Sequence, residues 1–207
     1  MPSDSPFLQV RDFYLTRYRP LYDHFVTNGE VPQELHAEVA AAFDHLFRMA
    51  ADGEASLHGN EASKVIAHIK RATFDAFKVL FKREIREQYD RLHTTAYADV
   101  DNGEFLVDVH TAWVEASAIA KEARRLETAS GDINTESWHV AFDKWNEIVP
   151  YAKKFSEWAA SKKVARAAAK NKRGFVLGIL WSIGLTVFGA ILGEVLPKIF
   201  KCLSTTT

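Results

Sequence analysis

The sequence predicts an all-α protein, a helical bundle of about five helices with the last continuing into a C-terminal transmembrane helix. Three observations carry this expectation. Apolar residues recur at helical spacing through the first three quarters of the chain, and no alternating apolar run flanked by turn dipeptides points to a strand. Apolar residues make up 47% and charged residues 26% of 207 positions, enough for a packed core. From Gly174 to Gly193 there is no charged residue. As a helix, that stretch rises about 30 Å, the hydrocarbon thickness of a bilayer.

Taken in order, Pro6 follows Asp4 and Ser5 and suits a first helical position, with Phe7, Val10, Phe13, Tyr14 and Tyr18 behind it. Pro20 is expected to end or kink this helix, and Asn28-Gly29 to close the region. Pro32 opens a second helix that places Leu35, Val39, Phe43 and Leu46 on one side and stops near Gly53. Gly59-Asn60 precedes a third, long pattern through Val65, Ile69, Phe77, Phe81, Ile85, Tyr89 and Leu92, broken at Asp101-Asn102-Gly103. A fourth runs from about Glu104 to Thr128 through Leu106, Val109, Trp113 and Leu126. A fifth begins near Asn134 and presents Trp138, Phe142, Trp145 and Val149. Between Pro150 and Gly174 there is neither glycine nor proline, and Ala, Lys and Arg dominate. These are strong helix formers, so the fifth helix is expected to run on toward the membrane, either as a stiff stalk or as a passive spacer that frays in solution.

The formal net charge of −1 conceals a division. Residues 1–157 hold 18 Lys and Arg against 26 Asp and Glu, a balance of −8. Residues 158–173 hold six cations and no acid: Lys162, Lys163, Arg166, Lys170, Lys172 and Arg173. Only Lys198 and Lys201 follow the uncharged stretch. By the positive-inside rule the bundle is cytosolic, and the six cations are expected to contact anionic lipid. The opening Met-Pro-Ser-Asp-Ser-Pro lacks the basic and apolar regions of a signal peptide, so the expected anchor is at the tail. The expected division is a cytosolic bundle over 1–157, a basic juxtamembrane helix over 158–173, a membrane helix over 174–196 and a short tail over 197–207.

Within the uncharged stretch, Gly174, Gly178, Ser182, Thr186 and Ala190 recur every fourth residue, and Gly189 and Gly193 form a second pair. Small residues at this spacing let two membrane helices approach closely, so a homo-oligomer is expected. Glu194 and Lys198 read as an ion pair at the end of the span. The single cysteine, Cys202, excludes a disulfide framework within the monomer and a zinc site built on several thiolates. Asp90-x-x-His93 and Glu136-x-x-His139 have the spacing of di-iron bundle ligands. At about 100° per residue, however, both pairs fall away from the apolar face of their helix and read as solvated. No metal or other cofactor is expected. Arg124-Arg125 and Lys82-Arg83 read as solvated helix faces.

Arg19-Pro-Leu-Tyr-Asp-His24 and Arg86-Glu-Gln-Tyr-Asp-Arg-Leu-His93 resemble the Arg-x4–6-His motif of HEPN ribonucleases, an all-helical family. The resemblance implies phosphodiester cleavage by the arginine and histidine in a dimer cleft. Pro20 and Glu87 depart from the Asn, His or Asp that often follows the arginine there. No Gly-rich phosphate loop, His-Glu-x-x-His or Gly-x-Ser-x-Gly motif is present. The expectation is a non-enzymatic membrane adaptor or scaffold for a cytosolic protein partner, in contact with lipid and not with nucleic acid. The first alternative is an effector that makes the membrane leak when its bundle is triggered, and an HEPN-like ribonuclease ranks below both.

Overall fold

The computed structural model describes residues 6–27, 31–51, 61–129 and 135–173. Among these residues every regular element is helical. Helix α1 is built from Pro6–Phe13, a π turn at Tyr14–Tyr18 and a final segment Arg19–Thr27. Pro20 therefore neither ends the helix nor breaks it. In an unbroken α-helix its ring would clash with the carbonyl of Thr16. Here the Arg19 N–H donates to the Tyr14 carbonyl, five residues back, and the wider turn makes room for the ring.

Helix α2, Gln33–Ala51, packs along the first half of α3. Helix α3 comprises Glu61–Leu80, a second π turn at Phe81–Arg86, and Glu87–Leu92. It stops at Leu92 rather than at Asp101, because His93 leaves helical geometry (φ −84°, ψ 61°). The chain then crosses two 3-10 turns, Thr95–Tyr97 and Val100–Gly103. Asp101, Asn102 and Gly103 all have positive φ (49°, 57° and 92°). Asp and Asn tolerate the left-handed region better than other side chains, and Gly enters it freely, so this triplet forms the tight reversal into α4.

Helix α4 is Glu104–Ala129. The single fifth helix expected from the sequence is two: α5, Thr135–Asn146, and α6, Val149–Ala160. Pro150 lies in the first turn of α6, where its missing N–H would have no helical partner in any case. The stiff stalk is interrupted as well. Ser161 is extended (φ −67°, ψ 141°), ending α6, and residues 162–173 form a separate helix, α7. The Ser161 hydroxyl accepts from the Val164 N–H at 3.3 Å, and its carbonyl accepts from the Ala165 N–H at 3.1 Å. A serine in an Ala/Lys run can satisfy the new helix's unpaired donors, which favours a restart over continuation.

Two cores result. The larger joins the second half of α3 to α4, α5, α6 and the end of α1 around Phe77, Ile85, Trp145, Ile148 and Phe155. The Phe77 ring stacks on Trp145 (6.1 Å, 6°) and meets Phe142 edge-on at 5.5 Å. The buried stripe of α4 is Ala112, Ala116, Ala120 and Ala123 beside Val109, whereas Leu106, Trp113 and Leu126 are half-buried on its flanks. Alanine loses no side-chain entropy in a helix and lets the neighbouring backbone come close. The smaller core, between α1, α2 and the first half of α3, gathers Val10, Tyr18, Ala42, Val65, Ile69 and Ala72.

Candidate functional site

Residues 174–207 lie outside the described residues. They include the expected membrane-packing positions Gly174, Gly178, Ser182, Thr186, Gly189, Ala190 and Gly193, together with Glu194 and Cys202. Among the described residues no helix is long and apolar enough to cross a membrane.

The six cations of the basic segment all lie on α7. Val164 buries itself in the larger core and Ala167 packs beside it, which lays α7 against the bundle. Lys163 donates to both carboxylate oxygens of Asp101, at 2.8 and 3.0 Å, and Lys170 reaches Asp99 at 3.4 Å. The positive-φ turn supplies Asp101, and the residue just ahead of that turn's 3-10 helix supplies Asp99. Lys163 and Lys170, seven residues apart, share one line of the helix to within about 20°. Lys162, Arg166 and Arg173 fall within about 40° of one another on an adjoining face. All six cations are exposed. Thus two cations fasten α7 to the bundle and the others form an outward basic face.

Helices α1, α2 and α3 leave an apolar groove of about 280 Å³. Val10, Tyr14, Val39, Leu46 and Ile69 line it, and Phe7 and Phe43 stand at its edge. Phe43, expected on the core side of α2, is 51% exposed, and its neighbour Phe47, a helical turn on, is 68% exposed. The two rings lie 6.3 Å apart.

Beyond this groove, α2 and α3 are clamped by paired charges. Glu38 of α2 accepts from the His68 ring at 2.7 Å and from Arg71 at 3.0 Å. Burial pushes the Glu38 pKa up, but the bonds from His68 and Arg71 together hold it below the usual carboxylate range. Glu61 meets Lys64 and the His45 ring, the latter at 2.6 Å, and those hydrogen bonds bring its pKa down to about 2. The His45 and His68 rings stack at 5.2 Å. Among the described residues no three His, Cys, Asp or Glu side chains converge as metal ligands do.

No family model, curated protein or solved structure matches this chain.

The two Arg/His motifs lie on different helices, α1 and the end of α3. Arg19 pairs with Asp23 at 3.4 Å, and His24 lies edge-on to Phe25. His93 stacks on Tyr89 at 4.9 Å, and the Tyr89 hydroxyl is 3.1 Å from His110 Nδ1. Asp90, His93 and Glu136 are exposed, and His139 is half-buried, edge-on to Trp138.

Sequence periodicity missed a second groove, of about 660 Å³, between α3 and α4. It gathers Lys78, Lys82, Arg86, Lys121 and Arg124 around Trp113, with Asp90 as its one acid. Lys82 and Arg124 are exposed, as expected, and line it. A signal was present in the recurrence of Lys78, Lys82 and Arg86 every fourth residue, opposite Lys121 and Arg124.

Proposed function

We propose that this chain is a non-enzymatic, single-pass membrane-anchored protein that self-associates through residues 174–196 and tethers a cytosolic protein partner. The observation that carries this reading is the charge pattern: six cations without an acid over 158–173, then twenty residues without any charge. The outward basic face of α7 supports it, since cations adjoining a span lie where anionic headgroups attract them. The apolar groove supports the tether. Its apolar lining, drawn from three helices and including Phe7 and Phe43, suits the apolar face of an amphipathic helix.

Alkaline carbonate extraction of membranes from cells expressing the full chain tests the anchor. The protein is expected to stay in the membrane pellet and to require detergent for release. Recovery as a monodisperse species in the aqueous fraction would overturn the reading. Replacing Gly178 and Ser182 by Ile is expected to abolish association in a membrane reporter assay. The membrane-permeabilising reading draws on the Ser161 joint and the lysine–aspartate fastenings, a form that a trigger could release. Dye leakage from liposomes separates the two, because a tether leaves liposomes intact.

A further inference from the structure

We infer that the groove between α3 and α4 is a binding site for a compact, multiply phosphorylated group. The α3 wall carries Lys78, Lys82 and Arg86, and the α4 wall carries Lys121 and Arg124. Asp90 is the one carboxylate in the lining. Such a gathering stands out in a region whose overall balance is −8. Like charges facing each other destabilise a fold, and an anion between them reverses that sign.

The backbone of α3 is shaped to this end. In an unbroken α-helix Arg86 would sit about 80° round the axis from Lys78. The π turn at Phe81–Arg86 takes up one extra residue and reduces this to roughly 20°, so all three cations form one row. Lys78 is held by Asp75 at 3.2 Å and by Glu127 at 2.7 Å, which anchors the end of the row. Lys82, Arg86 and Lys121 have no carboxylate within ion-pair distance among the described residues. Arg124 lies over the Phe81 and Trp145 rings at 5.9 and 6.0 Å, contacts that leave its five N–H donors for an anion. The Ser117 hydroxyl, also of the lining, is buried without a hydrogen-bond partner among the described residues.

The aromatic wall narrows the ligand class. Trp113 already stacks with Tyr89 at 4.7 Å (13°) and with Phe81 at 5.7 Å (25°). These contacts take up ring surface on which a base or other flat ring would stack. What remains is charge and hydrogen bonding around a volume that suits a small ligand. Several phosphoryl groups match this, and Arg donates to them bidentately. Such groups occur on free solutes and on phosphoinositide headgroups.

Isothermal titration of the full chain in neutral detergent with inorganic tripolyphosphate tests the inference, alongside binding to phosphatidylcholine nanodiscs with and without phosphatidylinositol bisphosphate. Saturable binding of tripolyphosphate, weakened about tenfold or more by Lys82→Ala or Arg86→Ala but not by Lys162→Ala/Arg166→Ala, supports a site for a free solute. Groove-dependent capture by the doped nanodiscs alone supports the same site with the lipid as source. Circular dichroism confirms that each variant folds, which the exposure of Lys82 and Arg86 favours. Absence of binding to either probe, or binding undiminished by the groove variants, would overturn it. None of these outcomes depends on residues 174–196 acting as an anchor.

Discussion

Lys70 offers a sharp test of how this bundle is stabilised. It sits in α3 facing α1 and α5, is only 5% exposed, and has no carboxylate within ion-pair distance among the described residues. Its ammonium lies 5.3 Å from the centre of the Trp138 ring and 5.7 Å from that of Phe13. Burying an ion costs several kcal/mol after relaxation, and each ring returns about 0.5–2 kcal/mol. Lys70→Met keeps the volume and removes the charge, so it should stabilise the fold by about 1–2 kcal/mol. For a domain of this size that corresponds to a rise of roughly 2–8 °C in Tm. Burial lowers the Lys70 pKa in the folded state, so the unfolded chain binds more protons between the folded pKa and the ordinary lysine value. Wild-type stability therefore gains on Lys70→Met as pH rises through that window, and the gap in Tm should close. Differential scanning calorimetry of both proteins from neutral pH to about 10 measures this. A lower Tm for the variant, or a gap that widens with pH, would refute the reasoning.

Trp145→Ala removes a ring that is wholly buried, stacked on Phe77 and bonded through Nε1 to Glu127 at 3.2 Å. Urea titration should show a loss of about 3–5 kcal/mol. Ser161→Ala removes the hydroxyl that caps α7, costing about 1 kcal/mol locally. Amide exchange over residues 162–173 should then speed up several-fold while α3 and α4 keep their protection. Glu61, with its pKa near 2, should remain ionised down to that pH in a carboxyl NMR titration. Because this folded pKa is depressed, the stability it contributes is present above the ordinary carboxylate range and is lost as pH falls through about 2. Replacing His45 by Ala should move the Glu61 midpoint upward.

Long-range order in the sequence revealed the helices, because apolar spacing is the residue-level trace of a buried face. Trp138, Phe142 and Trp145 are buried as their spacing predicts. The alanine stripe of α4 was harder to see, since alanine is helix-forming on any face and draws attention away from itself. The breaks at Asn146–Ile148 and Ser161 also escaped. Ser161 has no Gly or Pro beside it and is set by a local hydrogen bond, whereas the α5–α6 break is followed by Pro150, whose fitness for a first helical turn was the available signal. The π turns left only indirect traces, Pro20 tolerated within a helix and Arg86 brought into line with Lys78. The basic groove needed two helices to be placed side by side, information that periodicity along one helix does not contain. Phe43 likewise followed the apolar period of α2 but is left exposed by the helices of the described residues.

A joint one residue long at Ser161 has a mechanical meaning. Torque on α6 is not carried through an unbroken ladder into α7, so the direction in which the chain leaves at Arg173 is set by Val164 and by two exposed lysine–aspartate contacts. Such contacts weaken as ionic strength rises. The part of the seating of α7 on the bundle that rests on these two pairs is thus sensitive to electrolyte, which the stiffness of an unbroken rod would not be.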